Sequence, residues 1–163
     1  MRKTFFSLLF LLILSSNSIG SEISTVDVTF LLKNSNKGKS IEKKLGNLNE
    51  KHLKKFQEKK KLLEDKEKKI SSKKNILSKQ DFDKEVIKFK EKVKNYENER
   101  RKSNQEINNI KLKEIAKLLD QINKILVEYS TKNSISTIID KKNVIIIKEE
   151  NDITKDILNI LNS

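Results

Sequence analysis

The chain has 163 residues, of which 36% are charged and 35% hydrophobic, and it contains no Cys, no Pro and only three Gly. This apolar share is below that of a compact globule, so one packed core of ordinary size is not expected. The absence of Cys excludes disulfides, thiolate catalysis and Cys-ligated zinc. The length leaves room for one domain.

Residues 1–20 have the layout of a secretory signal peptide. Arg2 and Lys3 precede an apolar run over residues 5–14, and small polar residues follow up to Gly20. This run is short for a membrane span, so cleavage after Gly20 or Ser21 is predicted. An uncleaved membrane anchor is the alternative.

The next segment alternates apolar and polar residues. The apolar residues Val26, Val28 and Phe30 alternate with the polar residues Thr25, Asp27 and Thr29. This alternation predicts a half-buried strand over residues 23–32. A polar loop is predicted over residues 33–39, with Ser40 as the cap of the first helix.

Two heptad patterns dominate the middle of the chain and mirror each other about a point between Lys79 and Gln80. Such a mirror predicts a long antiparallel helical hairpin over residues 40–131 with its tip near 78–81, where Ser78 and Asp81 are spaced as a capping box. The residues that recur every seven positions are Phe56, Leu63, Ile70 and Leu77 before the mirror, and Phe82, Phe89, Tyr96 and Ser103 after it.

The second row of contacts predicted between these two helices is unevenly charged. The same alignment places Lys59 opposite Arg100, and it places Lys66 and Lys73 opposite valines. Buried ammonium groups without partners are costly, so the two helices are expected to pack loosely and to splay. Apolar residues such as Phe56 would then stay partly accessible.

The C-terminal part predicts a small sheet and one more helix. Apolar residues become more frequent between residue 115 and Tyr129, so another part of the protein is expected to pack against the base of the second long helix. A β-hairpin is predicted from residues 135–139 and 144–147, joined by a turn at 140–143, and Asn151 or Asp152 would cap a final helix. The resulting apolar strand edge invites pairing with another chain. Candidate residues for such an interface are Val26, Val28, Phe30, Ile138, Val144 and Ile146.

Neither catalysis nor metal binding is predicted. Gly38-Lys39-Ser40 is placed like the end of a phosphate-binding loop, but Lys33 stands where its first Gly should be. His52 is the sole histidine, so neither a metal set nor a Ser/His pair can be assembled. From the sequence we therefore expect no enzymatic activity, no cofactor and no bound metal.

The net charge of +13 has several explanations. Clusters at residues 59–61 and 100–102 could bind nucleic acid, an anionic lipid surface or acidic polypeptide. Nucleotide bias in an AT-rich genome is the alternative, because Lys, Asn and Ile are all heavily used. Aromatic residues are too sparse for base stacking, which argues against nucleic acid.

In order and spacing, these motifs resemble the Skp/OmpH family of periplasmic chaperones. The resemblance rests on Val26-Asp27-Val28 with Leu31-Leu32, on Gly38-Lys39, on Ile138-Ile139-Asp140 and on Asp152-Ile153-Thr154 around the helical hairpin. It implies a periplasmic homotrimer with a β-barrel body and helical arms, whose cavity holds unfolded outer-membrane proteins without ATP.

The expected fold is therefore mainly α, with a body at residues 21–39 and 132–163 and an arm at residues 40–131. The expected function is that of a holdase, with a histone-like nucleic-acid-binding protein or a structural coiled-coil envelope protein as alternatives. The candidate client-binding residues are Phe56, Leu63, Ile70, Leu77, Phe82, Phe89, Lys59, Lys66 and Lys73.

Overall fold

A computed structural model describes residues 22–163, and the predicted signal peptide lies outside this part of the chain. The expected architecture, mainly helical with a small β body, is confirmed. The elements are β1 (Glu22–Val26), α1 (Val28–Asn34), α2 (Asn36–Ser72), α3 (Lys79–Lys132), β2 (Ile135–Asp140) and α4 (Thr154–Asn162). Two short 3-10 turns, Lys141–Asn143 and Glu149–Asn151, lie between β2 and α4.

The first strand is shorter than predicted, because a helix begins after Val26. The side chain of Asp27 accepts a hydrogen bond from the backbone N–H of Phe30 at 2.8 Å and so caps α1. Val28 and Phe30 are therefore helical, and the predicted strand over residues 23–32 is wrong beyond Val26. The helix is favoured over a strand because it buries the side chain of Leu31 fully on the inner face of α1.

The predicted polar loop at residues 33–39 is also helical. Ser35, rather than Ser40, caps α2, and its hydroxyl accepts a hydrogen bond from the N–H of Gly38 at 3.1 Å. A Cβ on Gly38 would lie 1.9 Å from the carbonyl oxygen of Leu32, so only glycine fits where α1 meets α2. This packing role replaces the phosphate-binding alternative considered for the glycine.

The helices α2 and α3 form the arms of an antiparallel hairpin. Lys44 on α2 pairs with Glu114 on α3 at 2.9 Å, and Lys59, farther along α2, pairs with Glu99, nearer the start of α3. The two helices therefore run in opposite directions. At the tip, the Ser78 hydroxyl accepts from the N–H of Asp81 at 3.2 Å and donates to its carboxylate at 2.7 Å. Ser78 and Asp81 therefore form the N-terminal cap of α3, as their spacing predicts.

The core of the body gathers at the base of α3. Leu118 and Ile122 have almost no exposed surface, and α1, the start of α2 and α4 cover them. Burial of this apolar face anchors the long helix to the small sheet. The buried members of the core are Val26, Leu31, Ile41, Leu118, Ile122, Ile153, Ile157 and Leu161.

The sheet has two strands and is parallel, with Ile23 beside Thr137 and Val26 beside Asp140. On the other edge of β1, the N–H of Ile153 donates to the carbonyl of Thr25 at 2.9 Å. The predicted β-hairpin is wrong, since residues 144–147 form no strand in the described chain. The outer edge of β2 consequently has no neighbouring strand among residues 22–163.

Candidate functional site

The middle of the arm is held by a small aromatic cluster between α2 and α3. The Phe56 ring lies 4.6 Å from the His52 ring and 5.8 Å from the Tyr96 ring, measured between centroids. The Nδ1 of His52 lies 2.8 Å from the Ser103 hydroxyl, with which it forms a hydrogen bond. Ring packing of this kind adds to simple apolar burial, so this cluster stabilises the contact between the arms.

The charged row between the arms differs from the prediction at Lys59. Its ammonium group pairs with Glu99, the neighbour of the Arg100 that the heptad alignment places opposite it. The hydrogen bond and the charge of Lys59 lower the pKa of the Glu99 carboxyl. The expectation of an unpaired cation at this position is therefore wrong.

Nearer the tip, like charges do meet. Lys66 lies near Lys92 across the arms, and this neighbouring ammonium group, together with loss of hydration, lowers the pKa of Lys66. Lys73 caps the end of α2 and is exposed. Within the described chain, neither Lys66 nor Lys73 has a carboxylate within ion-pair distance. In the described residues, no ion pair joins α2 and α3 in this outer third of the arm, although Ile70 is buried there.

The predicted client-binding residues separate into two groups by exposure. Phe56 and Ile70 are 4% and 8% exposed, so the expectation that Phe56 stays accessible is wrong. Leu63, Leu77, Phe82, Phe89, Lys59 and Lys66 are half-buried, and Lys73 is exposed.

Several apolar side chains on the arm lie outside the heptad rows and were not predicted as site residues. Leu62 is 68% exposed and Ile76, in the tip, is 79% exposed. They could have been found as apolar positions that the heptad pattern does not need. The other large apolar side chains of residues 40–131 that are exposed are Leu53, Ile87, Leu112 and Val127.

The predicted interface residues also differ in how exposed their side chains are. Val26 lies in the core of its own chain, so the expectation that it contacts another copy is wrong for this conformation. Val28, Ile138 and Val144 are half-buried. Phe30 is 42% exposed and Ile146 is 89% exposed, beside an almost fully exposed Ile145.

Residues 22–163 contain no group of three or more side chains that could hold a metal ion. In the same residues, every helix is too short or too polar to cross a membrane.

Comparison with known proteins agrees with this architecture. The model of one family, described as outer membrane protein (OmpH-like), matches residues 22–161. The chain belongs to the OmpH-like family. The resemblance identified in the sequence is thereby confirmed, while no curated protein matches the chain.

A solved structure of another OmpH-like protein has the same fold. It is the crystal structure of a Caulobacter crescentus CB15 protein described as an OmpH-like outer membrane chaperone, with a TM-score of 0.81. The two chains are 13% identical, and the alignment covers 86% of this chain and 83% of the other. At this identity the likeness concerns the fold alone.

Proposed function

We propose that this protein is an ATP-independent holdase that keeps unfolded outer-membrane proteins soluble in the periplasm. Membership of the OmpH-like family supports a chaperone role of this kind. In this proposal residues 40–131 act as the client-holding arm, and residues 21–39 and 132–163 act as the body. The protein does this without catalysis or a cofactor.

The observation that carries the proposal is the distribution of apolar surface along the arm. The hairpin extends far beyond the core of the body. In this outer part Phe56 and Ile70 are buried between the two helices, and the other apolar side chains are half-buried or exposed. Many weak contacts on one flexible element give avidity without one tight pocket. An unfolded chain, which has no fixed shape, is the partner that such a surface suits.

The direct test is dilution of a urea-unfolded outer-membrane β-barrel protein into buffer without ATP. The protein should suppress light scattering by the aggregating client at near-equimolar ratio. A parallel titration with duplex DNA at several salt concentrations tests the nucleic-acid-binding alternative, because phosphate contacts weaken steeply with salt. Tight DNA binding near physiological salt, together with unprotected client, would refute the holdase proposal.

The functional unit in this proposal is a homo-oligomer, with the trimer implied by the family resemblance. The open edge of β2 and the exposed Ile146 support association of the bodies, because an unpaired strand edge tends to recruit another strand. Ile146→Lys should yield monomers or aggregates by light scattering. A stable monomer of the unsubstituted protein would contradict the oligomer.

Periplasmic location is proposed from residues 1–20. Mass spectrometry of the exported protein should find its N-terminus at or near Ser21. Recovery of intact Met1 in the soluble fraction would contradict export with cleavage.

A further inference from the structure

A groove lies where the arms join the body, and we call it the root groove. It has a volume of about 770 Å³ and runs between α1, α2 and α3. Its floor is apolar and half-buried to buried, and it is formed by Leu32, Ile41, Leu45, Ile107, Ile115 and Leu118. A cavity of this size with an apolar floor can enclose part of a ligand.

Three carboxamides belong to the polar rim of the root groove. Asn49, Asn104 and Asn108 line it, and within residues 22–163 their side chains have no hydrogen-bond partner in the protein. A carboxamide both donates and accepts, which matches the N–H and C=O groups of a peptide backbone. A helical ligand satisfies its own backbone groups, whereas an extended segment leaves them free for such contacts.

Gly46 lies on the wall of the root groove, and no packing contact within residues 22–163 requires a glycine there. A Cβ at this position would meet nothing within 4 Å, in contrast to the tight contact at Gly38. Glycine in a helix costs about 1 kcal/mol relative to alanine, so its presence here is not explained by the stability of the arm. It leaves the backbone of α2 open to close approach by another molecule.

The charged residues at the rim indicate what kind of ligand the root groove would bind. Lys33 and Lys111 line the root groove, and neither has an ion-pair partner in the described residues. Glu42 is the one acidic residue that lines it, so the rim carries net positive charge. A ligand with carboxylates beside its apolar residues complements this arrangement.

We propose that the root groove binds an extended polypeptide segment of the client in which apolar residues alternate with polar ones and acidic residues flank them. This inference rests on the proposed holdase function and assigns it a defined contact at the base of the arm. Alternate side chains of the segment enter the apolar floor, and the three asparagines hold its backbone. The exposed tip of the arm then holds the rest of the client less specifically.

The test uses the protein purified after export of the full chain, and a fluorescein-labelled peptide of about ten residues, long enough for one strand. The peptide alternates Val with Thr and has Asp at both ends, and a second peptide carries Lys at the ends instead. Gly46→Leu fills the root groove with an apolar side chain. Asn47→Leu adds the same side chain at an exposed neighbouring position that does not line the groove.

Gly46→Leu should weaken binding of the acidic peptide at least about tenfold, and Gly46→Ala about threefold, while Asn47→Leu leaves it unchanged. Gly46→Leu should also raise the melting temperature, because leucine favours a helix over glycine, so weaker binding cannot be attributed to unfolding. The double variant Asn104→Ala/Asn108→Ala should bind the peptide about threefold more weakly. The lysine-ended peptide should bind the unsubstituted protein more weakly than the acidic one.

Unchanged peptide binding by Gly46→Leu would overturn the inference. A change in molecular mass by light scattering in Gly46→Leu but not in Asn47→Leu would also overturn it, since the groove would then be an interface between copies of the chain. If the unsubstituted protein suppresses client aggregation and Gly46→Leu does so equally well, the holdase function stands and the root groove is not its contact. If the unsubstituted protein fails to suppress aggregation, the proposed function itself is wrong.

Discussion

Replacement of Phe56 by alanine should loosen the arm without unfolding the body. Burial of a phenylalanine side chain stabilises by about 1.5–3 kcal/mol, and its ring contacts with His52 and Tyr96 add about 0.5–1.5 kcal/mol. The expected loss is about 3 kcal/mol, at the low end for Phe→Ala, because two helices surrounded by water can close over the gap. Phe56→Leu keeps most of the apolar contact and should cost about 1 kcal/mol.

Native-state hydrogen exchange measures this loss locally. Amides in the middle of α2 and α3 should exchange about a hundredfold faster in Phe56→Ala, whereas amides around Leu118 in the body should be unaffected. The matched control is Leu62→Ala, where the side chain is 68% exposed and the change should stay within about 0.5 kcal/mol. Unchanged exchange in the arm together with weaker suppression of client aggregation would refute the structural role and restore Phe56 as a client contact.

Three further substitutions test individual contacts. Lys66→Glu should raise the melting temperature at low salt by replacing repulsion from Lys92 with attraction, and the gain should vanish at about 1 M salt. Gly38→Ala should lower the free energy of unfolding by about 1–3 kcal/mol, since its Cβ would collide with a backbone carbonyl. Burial raises the pKa of the Asp152 carboxyl, but hydrogen bonds from Lys141 and Thr154 outweigh it and lower the pKa overall, so the stability this carboxylate provides is present at neutral pH and lost below about pH 4. Asp152→Asn should therefore melt below the unsubstituted protein at pH 7 and approach it in acid, and a difference that grows as the pH falls would contradict the assignment.

The long helices were predictable because their apolar rows repeat over many turns. Lys44 and Lys59 pair with Glu114 and Glu99, each one position from the residue that the heptad alignment places opposite. At these two ion pairs the alignment is correct to within one residue, but it does not identify the pairing itself, and it misses the contact between Phe56 and Tyr96. A long lysine side chain reaches either neighbour and pairs with the carboxylate, which a pattern of apolar residues does not encode.

The short elements of the body were harder to predict, because several structures fit the same residues. One face of a helix accommodates Val28, Leu31 and Leu32 as well as the end of a strand does. The cap formed by Asp27 stabilises the helix. The β-branched run at residues 144–147 has strand propensity but has no partner strand among residues 22–163. Strand formation depends on such a neighbour, which local sequence does not reveal.

The root groove could not be predicted from periodicity either. Gly46 disfavours a helix, yet α2 continues through it from Asn36 to Ser72. The three asparagines are ordinary polar residues of long helices when each helix is considered alone. They line one groove only because α2 and α3 are brought together at the body.

The parallel sheet and its ties to α4 set an order for folding. The N–H of Asp27 donates to the hydroxyl of Thr154, 127 positions later in the chain, so we expect the two ends of the body to meet late in folding. Helices form within about a microsecond from local contacts, whereas closure of a long flexible loop carries an entropic cost. Once α2 and α3 have paired, starting from the tip, the two strands at their bases already lie close together. The entropic cost of bringing these strands together is then small. The arm therefore guides the assembly of the body, and helical signal should appear in refolding before the protection of β1 and β2.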